Sequence, residues 1–163
     1  MNPERPAWLP PPLQLRQGYT DKLDDLKAAF ETHVLKAHLQ LEGQRVYLNM
    51  RPFAQGLPEC FWHLVGRGEN RQIDDQRAAR LPWLRAVLEN AHDGAVRCWE
   101  GEGTRGDRQI CKYLWLHEHD YFVVLAPARH GQGWFLVTAH VVGGRRRRKE
   151  LERRFRRACS QNN

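Results

Sequence analysis

No apolar run in this chain of 163 residues approaches the roughly 18 residues that a membrane-spanning helix requires. The N-terminal stretch MNPERPAWLPPP has no apolar core of the kind a secretory signal carries, so neither a membrane nor an export route is expected and the protein is read as cytoplasmic. Cysteine is sparse: Cys60, Cys98, Cys111 and Cys159 lie far apart and are expected as reduced thiols in or near the core, not as a disulfide framework. There is no P-loop, no Rossmann glycine fingerprint, no HExxH and no GxSxG. Phosphoryl transfer from nucleotides, dinucleotide redox chemistry and the common hydrolase designs lose support accordingly.

What is present begins with charge. The chain carries a formal +7, and the segment RRRRKELERRFRR (Arg145–Arg157) holds nine basic and two acidic residues, which is +7 by itself. The other residues contribute 17 of each sign and are formally neutral. A single dense cationic segment suits a polyanion, and nucleic acid is the usual one, although a solvated helix face accounts for such a run equally well.

The length suits one ordinary domain with a short extension. Five of the nine prolines fall in the first twelve residues, so residues 1–20 read as an extended arm, a tether or partner-binding segment without a core of its own. From Asp21 to Leu41, apolar residues recur at helical spacing, with Asp21 placed to cap the start and Gly43 just past the end. RVYLNM (Arg45–Met50) is a strand candidate, and ECFWHLVG (Glu59–Gly66) offers one or two helical turns. Between Asp74 and Ala91 a second apolar stripe contains Pro82, which predicts a kink or two abutting helices.

After Gly94, VRCWE, QICKYLWL, YFVVLAP and WFLVTAHVV are rich in β-branched and aromatic residues and are separated by turns. The expected fold is α+β: N-terminal helices, a four-stranded antiparallel meander and a basic C-terminal helix. Residues 21–144 form the main domain and 145–163 the basic helix and tail. Leu151, Phe155 and Ala158 or Cys159 are the apolar anchors of that helix.

Strict alternation in the last strand would place Trp134, Leu136, Thr138 and His140 on one face and the apolar Phe135, Val137, Ala139 and Val141 on the other. Folding each hairpin about the centre of its turn sets Arg97 opposite Lys112 and Tyr121 opposite Thr138. In that register Arg97, Lys112, Tyr121, Thr138 and His140 share a face, and a slip of one residue would scramble it.

Of eight histidines, His63 and His140 stand in aromatic or apolar surroundings that would hold them in place. Either alone is better explained as a packed, hydrogen-bonded side chain. Together with many cations they suit metal-free RNA cleavage, which needs a base for the ribose 2′-OH, an acid for the leaving 5′-oxygen and donors for the phosphorus oxygens. Imidazole titrates near neutrality and serves the first two roles; arginine, lysine and a threonine hydroxyl serve the third. Cys60 with His63, or His117 with His119, could each give two zinc ligands, but no second half with matching spacing accompanies either pair. No metal or cofactor is therefore expected.

RPFAQGLPECFWHLVGRG, DDQRAARLPWLRAVLE, YFVVL and WFLVTAH followed by a basic helix resemble, in that order, the bacterial and phage-associated nucleases of the barnase, EndoU, colicin and RelE group. The resemblance runs from about Arg45 to Ala158. It implies an α+β fold whose open sheet face carries a metal-independent endoribonuclease site, acting on RNA, often tRNA, as a toxin or phage-borne effector with a cognate acidic immunity or antitoxin protein. It also implies His63 as an acid or base, Arg77, Arg80 and Arg85 as phosphate binders with Arg80 in the catalytic group, and Thr138 as a transition-state donor. Where the group often has tyrosine after TA, this chain has His140. Arg145, Arg146, Arg147 and Arg148 join Arg97, Lys112 and Tyr121 as candidate substrate contacts. The competing expectation is a nucleic-acid-binding or phage accessory protein of the same fold without catalysis.

Overall fold

The periodicity that follows Gly18 is realised as helix α1 (Tyr19–Phe30), which buries Leu23, Leu26, Ala29 and Phe30. The helix is shorter than its sequence pattern. A π-helical turn at Glu31–Leu35 ends it, and Leu41, expected on the same stripe, is buried in a strand instead. These elements belong to a computed structural model that describes residues 2–103 and 108–162; the turn expected between the first two strands of the meander lies partly outside them. Strands β1 (Gln40–Leu41) and β2 (Gln44–Tyr47) form a hairpin, followed by a small ribbon of β3 (Pro52–Ala54) and β4 (Leu57–Pro58). Helix α2 (Glu59–Val65) leads into a second ribbon, β5 (Gly66–Arg67) with β6 (Gln72–Ile73).

Pro82 divides the next apolar stripe into two helices, α3 (Asp75–Ala78) and α4 (Trp83–Glu89), because proline lacks the N–H that a continuous helix would use. Asp74 caps α3 by accepting from the Arg77 backbone N–H at 3.0 Å. Strands β7 (Val96–Glu102), β8 (Ile110–Leu116), β9 (Tyr121–Pro127) and β10 (Trp134–Val141) follow, and helix α5 (Arg145–Gln161) closes the chain.

The expected four-stranded antiparallel meander is corrected by the sheet that forms. Among the described residues it has six strands in the order β1-β2-β10-β9-β8-β7, it is mixed because β2 runs parallel to β10, and it curls strongly into a half-barrel. The short hairpin β1–β2 lies about ninety residues from its partner in sequence, so no local turn signal announces the pairing. The contact needs Gly133: at φ +125°, a Cβ there would stand 2.6 Å from the Arg45 carbonyl oxygen.

The two faces of the sheet bury separate cores. Val96, Leu114, Leu116, Tyr121, Val123, Leu125, Leu136 and Ala139 pack with α1, α2 and α4. Trp99, Cys111, Tyr113, Trp115, Phe122 and Val124 pack on the other side with Val142 and Leu151. The proline-rich segment has no regular secondary structure but lies on the first core. Leu9 is buried, Leu13 N–H donates to the Ala79 carbonyl at 2.7 Å, and Trp83 Nε1 donates to the Pro10 carbonyl at 2.9 Å. The apolar side chains of this arm are thus engaged by the chain's own core.

The trial register is also corrected. Arg97 pairs with Trp115 and Lys112 with Glu100, while Thr138 pairs with Val124 and Tyr121 with Val141. The cause in β10 is a β-bulge between Leu136 and Thr138, which inserts Val137 as an extra residue. Trp134 and Leu136 before the bulge join the helix-side core; Thr138 and His140 after it pair with Val124 and Phe122 of the α5-side core. The four residues expected on one face are therefore split between two.

Candidate active site

A cleft of about 1050 Å³ opens on the α5 side of the sheet, between α2, β10, the β9–β10 loop and α5. His63, Thr138 and His140 all line it. His63 is placed by α2, whose opposite side buries Phe61, Leu64 and Val65 in the first core. Helical spacing puts Glu59 one turn earlier on the same face, where its Oε2 accepts from Asn49 Nδ2 at 3.1 Å. Thr138 and His140 are two residues apart beyond the bulge, and Thr138 Oγ1 lies 3.0 Å from His140 Nδ1. The imidazole meets the Phe122 ring edge to face, with centroids 5.9 Å apart.

This environment holds His140 neutral. Burial, assisted by the charges of Arg77 and Arg147 and by His63, pulls its pKa from 6.5 down to about 4. If Nδ1–H donates to Thr138 Oγ1, Nε2 keeps its lone pair and can accept a proton. An anion bound in the cleft would offset the surrounding positive charge and raise the basicity of the ring.

The lining is strongly cationic: Arg51, Arg71, Arg129, Arg147 and Arg154 surround it, and Glu59 is the sole carboxylate among the described lining residues. Two of these arginines come from α5. Leu151, Phe155 and Ala158 anchor that helix to the sheet, while Cys159 is exposed. Arg147 and Arg154, one turn to either side of Leu151, stand over Phe122 and Tyr113 at 5.9 and 4.4 Å from the ring centroids.

The other expected contacts lie elsewhere. Arg77 is partly buried, and its Nη1 donates to the carbonyls of His63 (3.1 Å) and Gly66 (2.8 Å), so it closes the C-terminal end of α2 and brings its charge towards His140. Burial lowers its pKa. Arg80 donates to the Gln76 carbonyl and side-chain oxygens and stands over Trp83, on the helix side of the sheet. Arg85 is exposed and paired with Glu89 at 2.7 Å, beside a smaller cavity near Ala37 and Leu88. Arg97 pairs with Glu152 and lies between Trp115 and Phe155, where it fastens α5 to the sheet. Lys112 pairs with Glu42 at 3.0 Å, and Tyr121 is buried in the first core, where desolvation raises its pKa. Arg148 pairs with Asp120 at 2.7 Å, whereas Arg145 and Arg146 point to solvent at the start of α5.

Cys60 also touches the cleft, but burial pushes its thiol up to about 11, which keeps it protonated and unreactive near neutral pH. Among the described residues, no three His, Cys, Asp or Glu side chains gather as a metal-binding group, and neither zinc-like pair gains a third member. Among the described residues, no helix is long and apolar enough to cross a membrane.

Sequence reasoning missed Arg51, Arg71, Arg129 and Arg154 as cleft residues. Arg154 was within reach, because it falls three residues after the anchor Leu151 and shares its side of α5. The loop arginines carry no periodic signal. No family model, curated protein or solved structure matches the chain.

Proposed function

We propose that this protein is a metal-independent endoribonuclease of the barnase, EndoU, colicin and RelE type, acting as a toxin or phage-associated effector. It cleaves RNA by attack of the ribose 2′-OH on the adjacent phosphorus and leaves a 2′,3′-cyclic phosphate. The observation that carries this reading is the meeting of His63, Thr138 and His140 in one cleft lined by arginines. His140 is neutral in the free protein and is suited to take the 2′-OH proton; His63 is then the acid that protonates the departing 5′-oxygen. Arg147 and Arg154, with the Thr138 hydroxyl, stabilise the charge that grows on the non-bridging oxygens. Arg77 is a positioning residue in this scheme, since it holds the end of α2 on which His63 stands.

The test is RNA cleavage in the presence of EDTA. Metal-free cleavage that yields cyclic phosphate ends and disappears in His63→Ala supports the proposal; undiminished cleavage by that variant removes His63 from the mechanism. A protein active in this way would have an acidic inhibitor as its protective partner, and tRNA is the substrate to try first.

A second reading, a non-catalytic nucleic-acid binder, is favoured by the arginines that α5 turns away from the cleft, among them Arg153, Arg156 and Arg157. Replacing those three with serine separates the two readings. A pure binder of this kind loses affinity and much of its salt dependence, whereas the nuclease retains cleavage.

A further inference from the structure

We infer that Tyr47 and Phe135 form a base-stacking subsite at the rim of the cleft that takes an unpaired base of single-stranded nucleic acid. The inference rests on the nucleic-acid reading above and adds how that polymer is held. Tyr47 in β2 and Phe135 in β10 are direct register partners across the parallel pair. Their neighbours Val46 and Trp134 turn to the helix-side core, so alternation turns both rings to the opposite face, and both line the cleft.

The two rings are 38% and 36% exposed. Two adjacent, partly exposed aromatic side chains at the rim of a cleft offer a flat apolar surface to a planar group. Cations flank the pair. The Arg45 guanidinium stands over the Tyr47 ring, 4.9 Å from its centroid, and occupies that face, which leaves the other face of Tyr47 and the Phe135 ring to a base; Arg51 and Arg129 line the same cleft. Rings for a base beside cations for phosphate are the two components of single-strand recognition. A duplex cannot use them, because the faces of its bases are already covered by neighbouring bases.

Phe135 precedes His140 by five residues, roughly 16 Å along an extended strand. The stacked base is therefore not at the reacting phosphate. The subsite positions the chain, and its loss should raise KM while leaving kcat near the wild-type value.

The experiment measures binding of a fluorescent 2′-O-methyl RNA oligomer, which cannot be cleaved by 2′-OH attack, alone and annealed to its complement. Wild type should prefer the single strand. Tyr47→Ala and Phe135→Ala should each weaken single-strand binding by about tenfold, with duplex binding and the salt dependence unchanged. Tyr47→Trp and Phe135→Tyr should retain it. Alanine variants that bind like wild type, or that lose single strand and duplex equally, overturn the stacking subsite while leaving the nucleic-acid reading in place. Wild type that binds neither oligomer overturns both. Stacking with no cleavage of ordinary RNA supports the subsite and removes only the nuclease.

Discussion

Replacing His140 with glutamine tests the electrostatics of the cleft without assuming any activity. The imidazole has a folded pKa of about 4 against 6.5 for an unperturbed histidine, so within that window the unfolded chain binds a proton that the folded chain refuses. Stability from this group is complete above the unfolded value and falls as pH drops through the window, by up to about 1.4 kcal/mol per pH unit. By about pH 4.5 the loss amounts to roughly 2.6 kcal/mol. Urea denaturation of wild type and His140→Gln at about pH 7.5 and about pH 4.5 measures it, since His117, whose pKa burial also lowers, contributes equally to both proteins. The variant should lose correspondingly less stability on acidification. An imidazole proton of His140 that titrates near 6.5 by NMR, or pH dependences that run parallel in the two proteins, would refute the reasoning.

Two further substitutions test the architecture. Leu151 is fully buried and holds α5 on the sheet, so Leu151→Ala should cost about 2–5 kcal/mol in chemical denaturation, whereas Cys159→Ser, on the exposed side, should change stability by less than about 0.5 kcal/mol. Gly133→Ala places a methyl group 2.6 Å from a backbone oxygen at a positive φ, and the thermal midpoint should reveal a loss of at least about 2 kcal/mol through detachment of the β1–β2 hairpin from β10.

Much of the local structure was legible. Pro82 marked the break between α3 and α4, the apolar runs after Gly94 marked β7 to β10, and Leu151 with Phe155 marked how α5 attaches. The six-stranded mixed sheet was not legible, because parallel pairing of β2 with β10 joins segments that no turn connects. The candidate site was legible in part. His63, Thr138, His140 and Arg147 come together in the cleft, while Arg80, Arg85, Arg97, Lys112 and Tyr121 are held elsewhere by ion pairs, ring contacts or burial. An arginine in sequence does not declare whether its guanidinium already has a partner.

The amino-acid order by itself determined the places of β7 to β10 and of α2 to α5, that charge collects on the last helix, and that Thr138 and His140 stand two residues apart on one strand. Tertiary structure decided which face they occupy. Period-two alternation carries a side chain's orientation along a strand only while the pairing stays in step. The extra residue Val137 turns the end of β10 over, and with it Thr138 and His140 leave the side of Trp134 and Leu136 for the arginine-lined hollow under α5.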